Sequence, residues 1–174
     1  MNFKEQLAYV KAFVFDCDGV FTDGSIIAMP DGEGVRTFNA KDGLGVTLAI
    51  KRGYPVCIIS GGIGASVQKR FEHLKVKDVY LNCKDKMATI QEFAANYNLE
   101  LSDILYMGDD IPDVGVMRNV GVACAPYDAV SEVRHVAHYV SAMKGGEGCV
   151  RDVIEQVLKA QERWTLISTE VFSR

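Results

Sequence analysis

The chain has 174 residues, with 19 Lys and Arg against 23 Asp and Glu and a formal net charge of −4. This length suits one domain with a substantial core, and 48% hydrophobic with 24% charged residues excludes a disordered protein. No apolar run approaches the roughly 20 residues that a bilayer requires, and no cluster of Lys and Arg offers the phosphate contacts of a nucleic-acid binder. The first residues lack the pattern of a signal peptide, and the five Cys are widely spaced without a C-x-x-C. We therefore expect a cytoplasmic protein with free thiols and with neither a membrane nor a nucleic-acid partner.

Short apolar runs alternate with longer amphipathic segments along the chain, as in repeated strand–helix–strand units. The runs are uniformly apolar, which is typical of parallel strands covered on both faces, and they span 12–15, 56–59, 79–81, 104–107 and 121–124. The predicted helices span 42–52, 64–74, 85–98, 111–119, 128–134 and 148–162. This order predicts an α/β fold with a Rossmann-like, doubly wound and mostly parallel sheet, in one domain over residues 1–162.

Two segments break this alternation. Residues 25–39 predict a projecting β-hairpin, with strands over Ser25–Met29 and Val35–Phe38 around a turn rich in Asp and Gly. Residues 163–174 carry several large apolar side chains and neither Pro nor Gly. A solvated tail rarely has this composition, so we expect the segment to dock on another surface.

Two groups of acidic residues directly follow predicted strands. Asp16 and Asp18 follow the strand over 12–15, while the second group follows the strand over 104–107 and comprises Asp109, Asp110 and Asp113. Ligands of open α/β sheets bind at the carboxyl ends of the strands, so we expect both groups to face one pocket. Paired carboxylates can act as nucleophile and as acid/base, and clustered Asp oxygens suit Mg²⁺. Taken singly, Asp18 could belong to an Asp-Gly turn and Asp110 could cap a helix.

Two further positions suit phosphate binding. Ser60, before Gly61 and Gly62, places a hydroxyl and backbone N–H groups at the end of a strand. Lys84 and Lys86 lie at a predicted helix start, where the helix dipole disfavours a cation. This disfavoured position points to a functional role for one of the two lysines.

In order and spacing, D-x-D-G-V-x-T-D-G, then S-G, then Lys86, then G-D-D-x-x-D resembles the haloacid dehalogenase-like phosphatases over nearly the whole chain. The resemblance implies that Asp16 attacks phosphorus to form an aspartyl-phosphate, and that Asp18 protonates the leaving alkoxide and then activates water. It also implies that Ser60 and Lys86 hold the phosphoryl oxygens.

The same resemblance implies a Mg²⁺ cofactor. Its ligands would be Asp16, the backbone carbonyl of Asp18, and Asp109. Asp110 and Asp113 would support these ligands without binding the ion themselves. A second acid/base Asp argues against dehalogenation, since that reaction has no leaving alkoxide to protonate.

Within that superfamily, the short hairpin, the segment 38–43, Arg70 and the late G-G-E-G-C-V-R-D resemble the 3-deoxy-D-manno-octulosonate 8-phosphate phosphatases. The intervals between motifs leave no room for a cap domain. The resemblance implies a homotetramer whose hairpins associate, whose neighbouring subunits complete each site, and whose tail after Arg163 reaches a neighbouring site. It implies a small sugar-acid phosphate as substrate, in lipopolysaccharide biosynthesis. The implied substrate contacts are Asp18, Asn39, Ala40, Lys41, Asp42, Gly43, Gly61, Arg70 and Lys86.

The chain departs from that family at two positions. Gly62 and Thr47 stand where typical bacterial members have arginines that would contact the sugar acid. A nonulosonate 9-phosphate phosphatase, acting on a sialic-acid-like sugar, is the related alternative, although that group tends to carry Glu at the position of Gly62. A non-catalytic oligomerisation or sugar-binding module of the same fold is the alternative from another class, and a phosphoacceptor signalling domain is a third.

Overall fold

Six parallel strands form the central sheet of the computed structural model, which describes residues 2–164, in the order β5-β4-β1-β6-β7-β8. The strands of this sheet are β1 (Ala12–Phe15), β4 (Val56–Ile59), β5 (Asp78–Tyr80), β6 (Ile104–Met107), β7 (Val122–Ala125) and β8 (Tyr139–Val140). A separate antiparallel hairpin pairs β2 (Ile27–Ala28) with β3 (Gly34–Val35). The strand β1 therefore lies at the centre of the sheet, between β4 and β6.

Within residues 2–164, seven helices lie between or beside these strands. They are α1 (Phe3–Gln6), α2 (Ala40–Lys51), α3 (Ala65–His73), α4 (Lys86–Asn96), α5 (Val114–Met117), α6 (Ser131–Val136) and α7 (Cys149–Ala160). Short 3₁₀ turns occupy Leu7–Tyr9, Leu101–Asp103 and Ile111–Asp113. Among residues 2–164, no helix is both long and apolar enough to cross a membrane.

The alternation of side chains along each strand divides the core into two layers. Phe13 and Phe15 of β1 face a layer that contains buried residues of α2, α3 and α7. Ala12 and Val14 face the opposite layer, which contains buried residues of α4, α5 and α6. Helices thus cover both faces of a parallel sheet, which confirms the predicted α/β, Rossmann-like fold and explains why its strands are apolar throughout.

The predicted elements differ from the observed ones in detail. The hairpin strands have two residues each, because the chain beyond Val35 turns away from its partner strand. The helix predicted over 111–119 is divided into the 3₁₀ turn Ile111–Asp113 and the short helix α5. The edge strand β8 was not predicted, since two residues are too few for a hydrophobic period.

The segments between the motifs are short. The chain from β1 to α2 contains only the hairpin among its regular elements, and the chain from β4 to β5 contains only α3. Most of the predicted docking tail, residues 165–174, lies outside the described residues. Trp164, at its start, packs on the chain's own α7, where the guanidinium carbon of Arg151 lies 4.6 Å from the ring centroid.

Candidate active site

Three neighbouring strands end at one cleft of about 720 Å³. Asp16 directly follows β1, Ser60 directly follows β4, and Asp109 comes two residues after β6. Because these strands are parallel and adjacent, their carboxyl ends bring the three side chains to the same edge of the sheet. Of the predicted site residues, those that line the cleft are Asp16, Asp18, Ser60, Gly61, Lys86, Asp109, Asp110 and Asp113.

Lys86 joins the two acidic groups. Its ammonium nitrogen lies 2.7 Å from Oδ1 of Asp16 and 2.7 Å from Oδ1 of Asp113, and its side chain is 10% exposed. The lysine is the first residue of α4, whose N-terminus is capped by the Asp85 side chain accepting from the Ala88 N–H at 2.9 Å. An ammonium has three donors, so one remains to face the cleft.

Asp113 is held by four donors. Its Oδ1 accepts from Lys86 and from the Tyr106 hydroxyl at 2.6 Å. Its Oδ2 accepts from the backbone N–H groups of Asp109 at 3.0 Å and Asp110 at 3.2 Å. A carboxylate with all these partners is saturated, so Asp113 positions Lys86 and the acidic loop. Tyr106 was not predicted, since it sits within a buried strand and reads as a core residue.

Burial and repulsion between neighbouring carboxylates raise the pKa values of Asp16 and Asp109. Burial and the charge of Asp113 raise the pKa of Asp16 to about 6. Burial and the charges of Asp16 and Asp113 raise the pKa of Asp109 to about 8. Burial alone would lower the pKa of Lys86, but the nearby charges and hydrogen bonds of Asp16 and Asp113 outweigh it and raise that pKa to about 12.

This excess of negative charge fits a divalent cation. One ligand atom from each of Asp16, Asp109 and Asp113 lies within 4.8 Å of the others. Asp113 belongs to this set by distance, but its four hydrogen bonds leave Asp16 and Asp109 as the carboxylates free to bind a metal. Lys86 neutralises one of the three charges, and a hard cation such as Mg²⁺ would neutralise the rest.

Gly19 is required by the same arrangement. Its φ of +86° lies in the left-handed region, and a Cβ at this position would overlap the carboxylate of Asp109. The glycine of D-x-D-G therefore allows the first acidic group to approach the second closely.

Asp18 is paired with an arginine from the hairpin segment. The Arg36 Nε lies 2.6 Å from Oδ1 of Asp18, and Nη2 lies 3.0 Å from Oδ2. No sequence pattern points to Arg36, because its contact with Asp18 depends on how the hairpin packs.

Ser60 is 2% exposed and accepts from the backbone N–H of Gly62 at 3.1 Å through its Oγ. Its hydroxyl proton is therefore available to another acceptor in the cleft. Asp110 is exposed and caps the following 3₁₀ turn, accepting from the Ile111 N–H at 2.8 Å.

The predicted substrate contacts of α2 and α3 lie apart from the cleft. Asn39 caps α2, and Asp42 is buried with its Oδ1 accepting from the backbone N–H of Arg151 at 2.8 Å. The guanidinium of Arg70 packs beside Gly43, 5.9 Å from the ring centroid of Phe38. Ala40 and Lys41 are exposed at the start of α2. None of these residues, all within the described range, lines the cleft of this single chain, so their contact with substrate stays a prediction.

Comparison with known proteins agrees with this geometry. Residues 72–154 match the family of haloacid dehalogenase-like hydrolases. The chain is 33% identical to the 3-deoxy-D-manno-octulosonate 8-phosphate phosphatase of Yersinia pestis, over 91% of this chain and 85% of that protein. The Moraxella catarrhalis phosphatase of the same name, solved in complex with magnesium, phosphate and KDO, superposes with a TM-score of 0.90 at 31% identity and 93% coverage of each chain. A probable phosphatase from Pseudomonas syringae gives a TM-score of 0.90 at 36% identity, covering 93% of this chain and 92% of that one.

Proposed function

Since the chain belongs to the family of 3-deoxy-D-manno-octulosonate 8-phosphate phosphatases, we propose that it hydrolyses 3-deoxy-D-manno-octulosonate 8-phosphate to the free sugar acid and phosphate. The enzyme is a phosphoric monoester hydrolase of the haloacid dehalogenase-like superfamily. The observation that carries the proposal is the contact of the Lys86 ammonium with both Asp16 and Asp113, beside Asp109 at the same strand edge. One cleft is thus lined by the buried carboxylate of Asp16, the ammonium of Lys86 and the hydroxyl of Ser60.

The first half-reaction forms an ester of Asp16. A carboxylate oxygen of Asp16 attacks phosphorus, the bond from phosphorus to the substrate oxygen breaks, and Asp18 gives its proton to that leaving oxygen. The remaining N–H of Lys86 and the hydroxyl of Ser60 hold the phosphoryl oxygens, where the negative charge of the transition state is concentrated.

The second half-reaction releases phosphate. Asp18 takes a proton from water, the water oxygen attacks phosphorus, and the bond from phosphorus to Asp16 breaks. Each proton that Asp18 donates is thus recovered, and Asp16 returns as a carboxylate. Two attacks of modest difficulty replace one direct attack of water on a phosphate dianion.

Mg²⁺ is the cofactor that the acidic cluster fits. Asp16, Asp109 and the backbone carbonyl of Asp18 would hold it, while Asp110 and Asp113 would support these ligands. When bound, the ion neutralises negative charge on the transferring phosphoryl group.

We also infer that the enzyme acts in the cytoplasm as a homotetramer. The hairpin supports association, because Ile26, Ile27 and Met29 expose large apolar side chains on a short projecting element. Completion of the site by a second subunit accounts for the distance of Arg70 and the start of α2 from the cleft. Sedimentation equilibrium is expected to give the mass of four chains, and the mass of one chain would contradict this assembly.

The substrate proposal is tested by a panel of phosphate esters. Purified protein with Mg²⁺ is expected to give its highest kcat/KM with 3-deoxy-D-manno-octulosonate 8-phosphate, above nonulosonate 9-phosphates and simple hexose phosphates. A higher kcat/KM for the nine-carbon acids would shift the substrate to that class. Folded protein that releases phosphate from no member of the panel would defeat the enzymatic proposal.

A further inference from the structure

The hairpin segment supplies a side chain that reaches the acid/base of the predicted site. Arg36 directly follows β3, and its guanidinium bonds to both oxygens of Asp18 with distances of 2.6 Å and 3.0 Å. Its side chain is only 4% exposed, whereas that of Asp18 is 26% exposed. Within residues 2–164, Arg36 is the one residue whose hydrogen bonds reach the carboxylate oxygens of Asp18.

The hairpin itself is fixed beside the cleft. The Glu33 carboxylate accepts from the backbone N–H of Ser66 at 3.2 Å and from its hydroxyl at 3.0 Å, at the start of α3. Arg36 Nη1 donates to the carbonyl of Gly34 at 2.8 Å, which fixes the guanidinium plane relative to the hairpin backbone. Contacts within the hairpin and with α3 therefore hold Arg36 in place in addition to its bonds to Asp18.

Gly62 provides the space for this contact. A Cβ at Gly62 would lie 2.8 Å from Oδ2 of Asp18 and 2.9 Å from Nη2 of Arg36. The Oγ of Ser60 lies 3.4 Å from the same point. The pair of Asp18 and Arg36 thus lies against the backbone that precedes α3.

We propose that Arg36 is a positioning residue for catalysis, which orients the carboxyl group of Asp18 toward the leaving oxygen of the substrate. A carboxylate has about four lone-pair sites, and a guanidinium fork occupies one on each oxygen. One site on each oxygen remains to carry the proton that Asp18 transfers. The hairpin would then contribute to the chemistry of its own subunit. This inference rests on the proposed function, since it assigns a role in that reaction.

The leaving group of the substrate provides a selective test. An alkoxide is a strong base and needs a proton from Asp18 as it leaves, whereas p-nitrophenolate is a weak base and leaves without one. The constant kcat/KM covers the steps up to departure of this first product, so it reports Asp18 as an acid. A loss of positioning therefore affects alkyl phosphates much more than p-nitrophenyl phosphate.

We expect Arg36→Ala to lower kcat/KM for the sugar-acid phosphate by about 30-fold or more, and for p-nitrophenyl phosphate by less than about 3-fold. The larger loss is part of the ~10²–10⁴-fold that general acid–base catalysis supplies. Added guanidinium ion at millimolar concentration is expected to restore part of the lost activity toward the alkyl substrate. Arg118→Ala, which truncates an exposed arginine at the end of α5, is the matched control and should leave both constants unchanged.

Arg36→Lys covers the case in which the Ala variant does not fold. Lysine keeps the charge and the long side chain but cannot form two parallel bonds, so the same bias toward loss with the alkyl substrate is expected. Equal losses with both substrates, or no loss with either, would overturn the positioning role. Wild-type protein that is inactive toward every ester would defeat the proposed function itself. An active wild type, together with an Arg36 variant that loses the same activity toward both substrates, would defeat only the positioning role.

Discussion

Four donors converge on the carboxylate of Asp113 although its predicted role is only to support the site. Two of them, Lys86 and the Tyr106 hydroxyl, share Oδ1, so the position of the lysine depends on the tyrosine through this one atom. Lys86 in turn contacts Asp16 at 2.7 Å. The orientation of the proposed nucleophile is therefore linked to a side chain in the middle of a buried strand.

Tyr106→Phe tests this linkage. Loss of one hydrogen bond to a buried carboxylate should lower the free energy of unfolding by about 1–3 kcal/mol. Because Asp113 would then hold Lys86 less firmly, kcat should fall several-fold. Urea unfolding and steady-state phosphate release measure the two effects. Tyr97→Phe is a matched control. The Tyr97 hydroxyl donates to Asp78 with a distance of 2.7 Å, and this hydrogen bond lies outside the cleft. Stability should fall in both variants, and an equal fall in kcat in both would contradict the linkage.

At single positions, the sequence allowed the acids and the lysine to be predicted because each directly follows a strand or begins a helix. Position relative to the sheet edge is a local property, so Asp16, Ser60 and Lys86 could be assigned to one pocket. Tyr106 and Arg36 could not. The hydroxyl of Tyr106 is hidden in an apolar run, and the contact of Arg36 with Asp18 joins positions whose approach depends on tertiary packing.

Among the elements, α2 and α7 are joined by a buried acid. Asp42 lies in the first turn of α2 and accepts from the backbone at the start of α7, while its Oδ2 is buried without a hydrogen-bond partner among the described residues. Burial raises the pKa of Asp42 to about 6, from 3.8. Between these two values the folded protein binds more protons than the unfolded chain, so this group makes stability fall as the pH rises.

Asp42→Asn removes that titration. The free energy of unfolding of the wild type minus that of the variant should fall by up to about 3 kcal/mol between pH 4 and pH 6, and stay constant above pH 6 to 7. Denaturant unfolding of the two metal-free proteins across this range measures the difference, in which other titrating groups cancel. A difference that does not change with pH would show that Asp42 titrates normally.

The lengths of the elements were predictable where a hydrophobic period was sustained, as in α2, α4 and α7. The hairpin strands were predicted too long, since Arg36 turns toward Asp18 and Glu33 toward Ser66 instead of continuing the pairing. These contacts connect positions far apart in sequence. The local pattern of the hairpin therefore gives its turn but not the point at which its strands end.

At the scale of the whole molecule, the cleft at one edge of the sheet carries a local excess of acidic side chains. Six acids line the cleft there against two lysines, Lys84 and Lys86, a formal excess of four negative charges that is as large as the net charge of −4 of the whole chain. The six acids are Asp16, Asp18, Asp85, Asp109, Asp110 and Asp113. An anionic substrate would be repelled by such a cleft without a cation. The acidity of the chain is thus better explained by a metal requirement than by a generally repulsive surface.

In the proposed reaction, Asp16 carries the phosphoryl group between the two half-reactions. The most direct measurement mixes the protein with Mg²⁺ and the sugar-acid phosphate, quenches the reaction in acid within one turnover, and locates phosphoryl groups on peptic peptides by mass spectrometry. We expect a phosphoryl group on Asp16, and we expect the Asp16→Asn variant to lack both this group and turnover. Phosphate release without any phosphoryl group on Asp16, or turnover retained by Asp16→Asn, would contradict it.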